Sequence, residues 1–224
     1  MEAGSSHKRV AHIFDLDDTL IRTNSHIYVY DPESRELIDK INSRDYVHKR
    51  SVVKEYYQRG CLVNTDEFGS DDRLSYQFLY DGESLEEQVR LLREIAEGGK
   101  GTIDLYVVTG RGNSPGMIAQ LFAEKFGIRI PEENIYPVSY ATKMKSLWAE
   151  IHEKYDPAIT DLLSSGKSVA NFKKSSFFDI LSKKYEEVYL YDDDHDNILC
   201  FRNLVDELNQ LGFSIQGHTF RIGA

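Results

Sequence analysis

Short apolar runs recur near residues 10–14, 103–108, 134–140, 187–192 and 213–221, and the stretches between them carry apolar residues at helical spacing. This alternation predicts an α/β domain with a mainly parallel sheet, because parallel strands need crossover connections. Several helix ends are marked. Ser84-Leu85-Glu86-Glu87 has capping-box spacing ahead of Val89, Leu92 and Ile95, and Gly98-Gly99 predicts where that helix stops. Ser114-Pro115 opens a second helix that Gly127 closes. Residues 197–211 place Ile198, Phe201, Leu204, Val205 and Leu208 on one face, a stripe read as core.

Two segments fall outside this alternation. In residues 23–82, His26-Ile27-Tyr28-Val29-Tyr30, the turn residues Asp31-Pro32-Glu33-Ser34 and Arg35-Glu36-Leu37-Ile38 predict a hairpin. A helix over 43–58 and an Asp- and Gly-rich loop over 64–72 would complete a small insertion. Residues 142–172 predict a helix over 144–155, with Trp148, and a further piece over 159–163. The sequence leaves open whether this second segment is a lid or extra helices on the core. No internal repeat is found.

The candidate chemistry sits where the apolar runs end. Val10-Ala11-His12-Ile13-Phe14 leads into Asp15-Leu16-Asp17-Asp18-Thr19-Leu20. On an extended chain Asp15 and Asp17 would stand on one side, at the carboxyl edge of the sheet. Three acids in four residues repel one another, and a divalent cation relieves that repulsion. Mg2+ suits the cluster because it takes hard oxygen ligands, one or two carboxylates among them, together with substrate phosphate. Asp15 can then attack phosphorus, and Asp17 can protonate the leaving oxygen and later deprotonate water. An acidic turn at the rim of the sheet is the plainer alternative.

The second run ends in Thr109-Gly110-Arg111, a hydroxyl and an accessible amide able to hold phosphate oxygens, or else a strand-to-helix turn. The third leads into Asp192-Asp193-Asp194-His195-Asp196-Asn197, repeating strand then acids. Upstream of it, Lys173-Lys174 precedes Phe177, Phe178 and Leu181. Lysine at a helix start opposes the helix dipole, so either the site demands positive charge there or the lysines are solvated.

In this order the motifs resemble those of the haloacid dehalogenase (HAD) superfamily of phosphohydrolases. The resemblance implies a Rossmann-like three-layer core over residues 1–22 and 83–224, with residues 23–82 as a small cap. It implies Asp15 as nucleophile, Asp17 as acid/base, Thr109 as the second-motif hydroxyl and Lys174 or Lys173 as the third-motif lysine. Mg2+ would be held by the Asp15 carboxylate, the Asp17 backbone carbonyl and Asp193, with Asp192 and Asn197 in support. Gly110 and Arg111 would contact phosphate. Lys174 is preferred because Phe177, Phe178 and Leu181 lie three, four and seven residues beyond it. The family often carries aspartate where Asn197 stands.

The expected activity is Mg2+-dependent hydrolysis of a phosphomonoester through an aspartyl-phosphate. A looser likeness to small phage phosphatases and to the phosphatase half of polynucleotide kinase-phosphatases adds 3′-phosphate removal from nucleic acid as an alternative. A non-catalytic phosphate-binding regulatory module is the alternative from another class, and transfer to a second acceptor is a further variant. The partner is accordingly a phosphorylated small molecule or a nucleic acid end.

Length, 224 residues, allows one domain plus an insertion, and an apolar content of 41% allows a real core. No run is long enough to span a membrane, and the polar first nine residues lack the apolar centre of a signal peptide, so a cytoplasmic location is expected. Cys61 and Cys200 have neither disulfide nor metal-ligand spacing and are expected as free thiols. A net charge of −10 repels nucleic acid and anionic membranes as a whole. Locally, Lys40, Arg44, His48, Lys49, Arg50, Lys54 and Arg59 interleave with Tyr46, Tyr56 and Tyr57. That pattern fits a nucleic acid partner or a solvated helix with a tyrosine face.

Overall fold

The computed structural model describes residues 8–69, 71–98, 103–164 and 169–223. Residues 1–7 and Gly99 lie outside the described residues, as do the side chains of His48 and Arg50 from the basic run. The chain runs through β1 (Val10–Phe14), β2 (Ile21–Arg22), β3 (His26–Tyr30), β4 (Leu37–Asn42), α1 (Ser43–Gln58), β5 (Leu62–Asn64), α2 (Asp72–Asp81), β6 (Glu83–Ser84) and α3 (Glu86–Gly98). It continues through β7 (Ile103–Thr109), α4 (Pro115–Leu121), β8 (Ile135–Pro137), α5 (Ala141–Lys154), α6 (Pro157–Ser164), α7 (Val169–Leu181), β9 (Glu187–Asp192), α8 (His195–Gln210) and β10 (Gln216–Arg221).

Five parallel strands form one sheet in the order β10-β9-β1-β7-β8, with Phe14 beside Val107 on one neighbour and Tyr191 on the other. Strand alternation divides the core into two. Ala11, Ile13, Tyr106, Val108, Val188 and Leu190 pack with α5, α6, α7 and α8, whereas Phe14, Val107, Ile135 and Tyr191 pack with α2, α3 and α4. The result is the Rossmann-like three-layer arrangement, and burial on both faces explains why the central strands read as unbroken apolar runs. The same period of two places Asp15, after Ala11 and Ile13, and Asp192, after Val188 and Leu190, toward the layer that contains α7.

Residues 26–68 make a separate unit. β3 pairs antiparallel with both β4 and β5, and α1 covers them through Ile27, Val29, Ile41, Val53 and Cys61. The expected hairpin and helix are present. The expected loop over 64–72 joins the last residue of β5 to the first of α2 through a 3-10 turn at Asp66–Phe68, and α2 beyond it puts Leu79 into the main core. β5 is three residues long, too short to announce itself in sequence. The unit with its own core is therefore smaller than 23–82.

Other boundaries also move. Ser84 is not a helix cap: it pairs with Ile21 in β6, and the first turn of α3 closes on the Leu85 carbonyl. α4 begins as expected, with the Ser114 side chain accepting from the Met117 amide and Pro115 in the first turn. α8 starts at His195, capped by Asp194, whose side chain accepts from the Asp196 amide. α5 and α6 bury Met144, Leu147, Ile151, Ile159 and Leu163 in the main core, so these helices of 142–172 pack on the core. Residues 165–168 lie outside the described residues.

Candidate active site

The carboxyl ends of β1 and β9 open on a cavity of about 640 Å³, a size suited to a small ligand. Asp15, Asp17, Asp18, Gly110, Arg111, Lys173, Asp193 and Asn197 line its core side, and Ile27, Ser43, Tyr46, Tyr57, Thr65 and Phe68 line the opposite side. Strands stop there because the chain turns at once. Asp18 adopts a left-handed conformation, φ 55°, and the Leu20 and Ile21 amides both bond the Leu16 carbonyl. Asp17 therefore reaches the cavity from a turn rather than from an extension of β1, a correction to the simple strand picture.

Lysine supplies the second correction. Lys173 Nζ lies 2.9 Å from Asp15 Oδ1 and 2.9 Å from Asp192 Oδ2, whereas Lys174 points away to Glu207, 3.2 Å, and the Leu162 carbonyl, 3.1 Å. Both lysines are buried because α7 is apolar around a wide arc. Lys173 shares a row with Phe177 and Ile180, and Lys174 shares one with Phe178 and Leu181, all of them buried. Spacing alone could not choose between two equally apolar rows. Burial opposes the charge on Lys173, but Asp15 and Asp192 outweigh it and hold its pKa above the ordinary lysine value.

Asp192 is fully buried and saturated. It accepts from Lys173, from Asn197 Nδ2 on both oxygens (2.9 and 3.0 Å) and from the Asp194 amide. Its role is to seat Lys173 and Asn197. Asp15 differs: its Oδ1 is close to Lys173 but off the line a hydrogen bond needs, and Asn197 Oδ1 is likewise buried without a partner. Burial first, then the charges of Asp192, Asp193 and Asp17, raise the Asp15 pKa despite Lys173. Burial and Asp192 push Asp193 up to about 7. Thr19, which sequence reasoning left without a role, receives the Asp193 amide on its hydroxyl at 3.1 Å and so fixes that loop. Its place in the first acid cluster was the available signal.

Acidic oxygens of Asp15, Asp192 and Asp193 lie within 4.8 Å of one another, the group among the described residues able to hold a metal. Of these Asp192 is saturated, whereas Asp15, whose Oδ1 is ion-paired with Lys173 but has no hydrogen-bond partner, and Asp193 are hard carboxylate donors of the kind Mg2+ takes.

Arg111, expected to contact phosphate, lines the cavity but spends its donors on protein groups. Its guanidinium grips Asp17 with Nε and Nη2 at 2.8 and 2.7 Å, and Nη1 donates to Ser75 Oγ and the Glu67 carbonyl. Nη2 also reaches Thr23 and Ser25, and the group lies over the Phe68 ring. It is 1% exposed. These partners come from distant parts of the chain, so no local pattern revealed them. Beside it, Gly69 at φ 116° fits against Gly112 and Asn113, where a Cβ would lie 2.4 Å from the Asn113 nitrogen. Thr109 is buried behind this loop, and its hydroxyl accepts from the Arg111 amide at 3.4 Å.

No family model matches the chain, and no curated protein matches it. Among solved structures the chain is similar to the Legionella pneumophila effector Ceg4 carrying an N-terminal yeast Hog1p sequence, at 13% identity and a TM-score of 0.42, over 100% of this chain and 92% of that one. It is similar also to Ceg4 carrying an N-terminal TEV protease cleavage sequence, at 12% identity and a TM-score of 0.39, over 98% and 89%. Likeness at this level says nothing of chemistry, which rests on the side chains.

Cys61 and Cys200 form no disulfide. Among the described residues no helix is long and apolar enough to cross a membrane.

Proposed function

We propose that the chain is a Mg2+-dependent phosphomonoester hydrolase of haloacid dehalogenase type, acting through an aspartyl-phosphate on Asp15. The observation that carries this reading is Lys173, buried 2.9 Å from Asp15 in the lining of a cavity that Asp15 and Asp193 also line. A buried cation there screens the nucleophile and the incoming phosphate from the surrounding acids. Asp15 and Asp193 would hold the metal through carboxylate oxygens, with the Asp17 backbone carbonyl as the resemblance implies, since Asp192 is already consumed. Bound Mg2+ would supply positive charge that neutralises phosphate oxygens.

The rest follows from the chain's own residues. Asp15 attacks phosphorus, Lys173 balances charge on the transferring group, and Asp17 stands beside them to handle the proton of the leaving oxygen and then of water. Gly110 and Gly112 bring backbone to the cavity wall. A phosphate-binding module without turnover has no use for a carboxylate held beside the nucleophile by a buried arginine.

Asp15→Asn tests this directly. Phosphate release from a panel of monoesters, measured without an acceptor, should fall by at least about 10³-fold while circular dichroism and Tm stay near the parent values. Appreciable residual turnover would remove Asp15 from its role, and release seen only with an added acceptor would make the enzyme a transferase.

A further inference from the structure

We infer that the chain forms a symmetric dimer through β10: two copies pair antiparallel along Gln216–Arg221 about a two-fold axis at Thr219, which joins their five-stranded sheets. Three observations meet on this strand.

The first is its edge. Among the described residues no strand lies beyond β10, and an open edge invites another chain unless it is blunted. Other edges are blunted. β2, β5, β6 and β8 are two or three residues long, β8 ending in Pro137, and β4 carries Asp39 and Lys40 beside a register shift at Val29 and Tyr30. β10 runs six residues in unbroken register with β9 and holds no proline, lysine or acid. The Gln216 and Ile222 amides donate inward, to the Glu186 and Asp192 carbonyls. By strand alternation the amides and carbonyls of Gly217, Thr219 and Arg221 face outward.

The second is a pair of ring ladders that stop at this edge. His12, Tyr189 and His218 stack across β1, β9 and β10 at centroid distances of 4.7 and 4.6 Å, and Phe14, Tyr191 and Phe220 stack at 4.4 and 5.0 Å. Phe220 ends its row 45% exposed. A two-fold axis at Thr219 sets each His218 opposite the Phe220 of the other copy. Each ladder then runs on into the other, from β1 of one copy to β1 of the next, with rings paired on facing strands. No other axis along the strand does this: centred on His218, Phe220 faces Gln216, and centred on Phe220, His218 faces Ile222.

Backbone and charge supply the third. About the same axis, outward Gly217, Thr219 and Arg221 meet Arg221, Thr219 and Gly217 of the other copy, so every outward amide finds a carbonyl. Thr219 faces itself, a favourable cross-strand pair. Arg221, the one charged side chain of the strand, faces Gly217, so a chain of net charge −10 brings no like charges opposite each other there. Leu199, 40% exposed, lies three residues before Arg202, whose Nε donates to Thr219 Oγ1, so α8 adds an apolar flank on the other face of the sheet.

A six-residue strand spans about 20 Å, an interface at the small end of the range, so the dimer is a weak one, with a dissociation constant of about 1–100 μM. Sedimentation velocity of the full chain from about 1 to 500 μM tests this, and the mass should rise from monomer toward dimer across that range. Thr219→Pro removes an outward amide without touching a bond to β9, and Thr219→Lys sets two like charges face to face. Each should weaken association at least about 10-fold, with circular dichroism confirming the fold. Mild oxidation of Thr219→Cys should crosslink the dimer, because facing Cα atoms of a hydrogen-bonded pair are about 5.5 Å apart, within disulfide reach. His218→Cys and Phe220→Cys should crosslink far more slowly, with the parent chain and its Cys61 and Cys200 as control. A chain that stays monomeric at the highest concentration overturns the proposal, as does association that folded Thr219→Lys leaves intact. Crosslinking led by His218→Cys or Phe220→Cys overturns the axis, and the ring match with it.

Discussion

One wall of the cavity comes from the ends of β1 and β9 and is charged, buried and tied by ion pairs to the central sheet; the other comes from α1 and the loop after β5 and is aromatic and more open. The first is positioned by strand register: once Phe14 lies beside Tyr191, Asp15 and Asp192 have no freedom to separate. The second is positioned by a small core of its own, Ile27, Val29, Ile41, Val53 and Cys61, which the main sheet does not share. On the proposed function, chemistry would rest on the wall anchored in the sheet and the choice of substrate on the wall that has its own core. Arg111 is the seam, holding Asp17 of the core with one edge and the Glu67 carbonyl with the other.

The neighbouring lysines give the sharpest way to break this comparison. Lys173→Met should remove about 10³-fold or more of the turnover and destabilise by roughly 3–5 kcal/mol, because Asp15 and Asp192 lose their buried counter-charge. Lys174→Met should retain turnover, and equal losses from the two would dissolve the distinction between a site lysine and a structural one. Arg111→Met comes next, with a comparable loss of about 3–5 kcal/mol from an unpaired Asp17 and stranded polar groups, read by urea denaturation. If the seam is real, proteolysis of that variant should begin within residues 26–68 before the sheet is touched.

A pH titration probes the core side alone. His12 is buried between Tyr189 and Tyr191, and desolvation lowers its pKa to about 4. Its folded value lies below the unfolded one, near 6.5, so its contribution is complete above pH 6.5 and is lost as pH falls from there toward 4. Because Asp15 and Asp193 are shifted upward and act in the opposite sense over the same range, the His12 part is read as the difference between the parent and His12→Phe profiles, which should be on the order of 3 kcal/mol. A divalent ion should act on the same wall with a somewhat smaller effect. Mg2+ at 100 times its dissociation constant adds about 2.7 kcal/mol, or roughly 5–10 °C in Tm, reversed by chelator and absent in Asp193→Asn. An undiminished shift in Asp193→Asn would move the ion elsewhere. Behind the aromatic wall, Ile41→Ala should loosen the insertion by about 2–4 kcal/mol locally while the main transition holds.

The chain's linear pattern was enough to establish the alternating strands and helices, the inserted hairpin and helix, and the acid clusters at the ends of β1 and β9. Each of these is a local signal: an apolar run of strand length, a turn residue, carboxylates too close together to coexist without a cation. What tertiary packing decided was everything that depends on distant partners. Lys173 and Lys174 each head an apolar row of α7, and only docking of that helix on the sheet sends one to Asp15 and the other to Glu207. Arg111 reads as a phosphate ligand until Asp17, Ser75 and Glu67 arrive to occupy its donors. Direction on a helix or loop is free in sequence and becomes fixed only when burial demands that every charge find a partner.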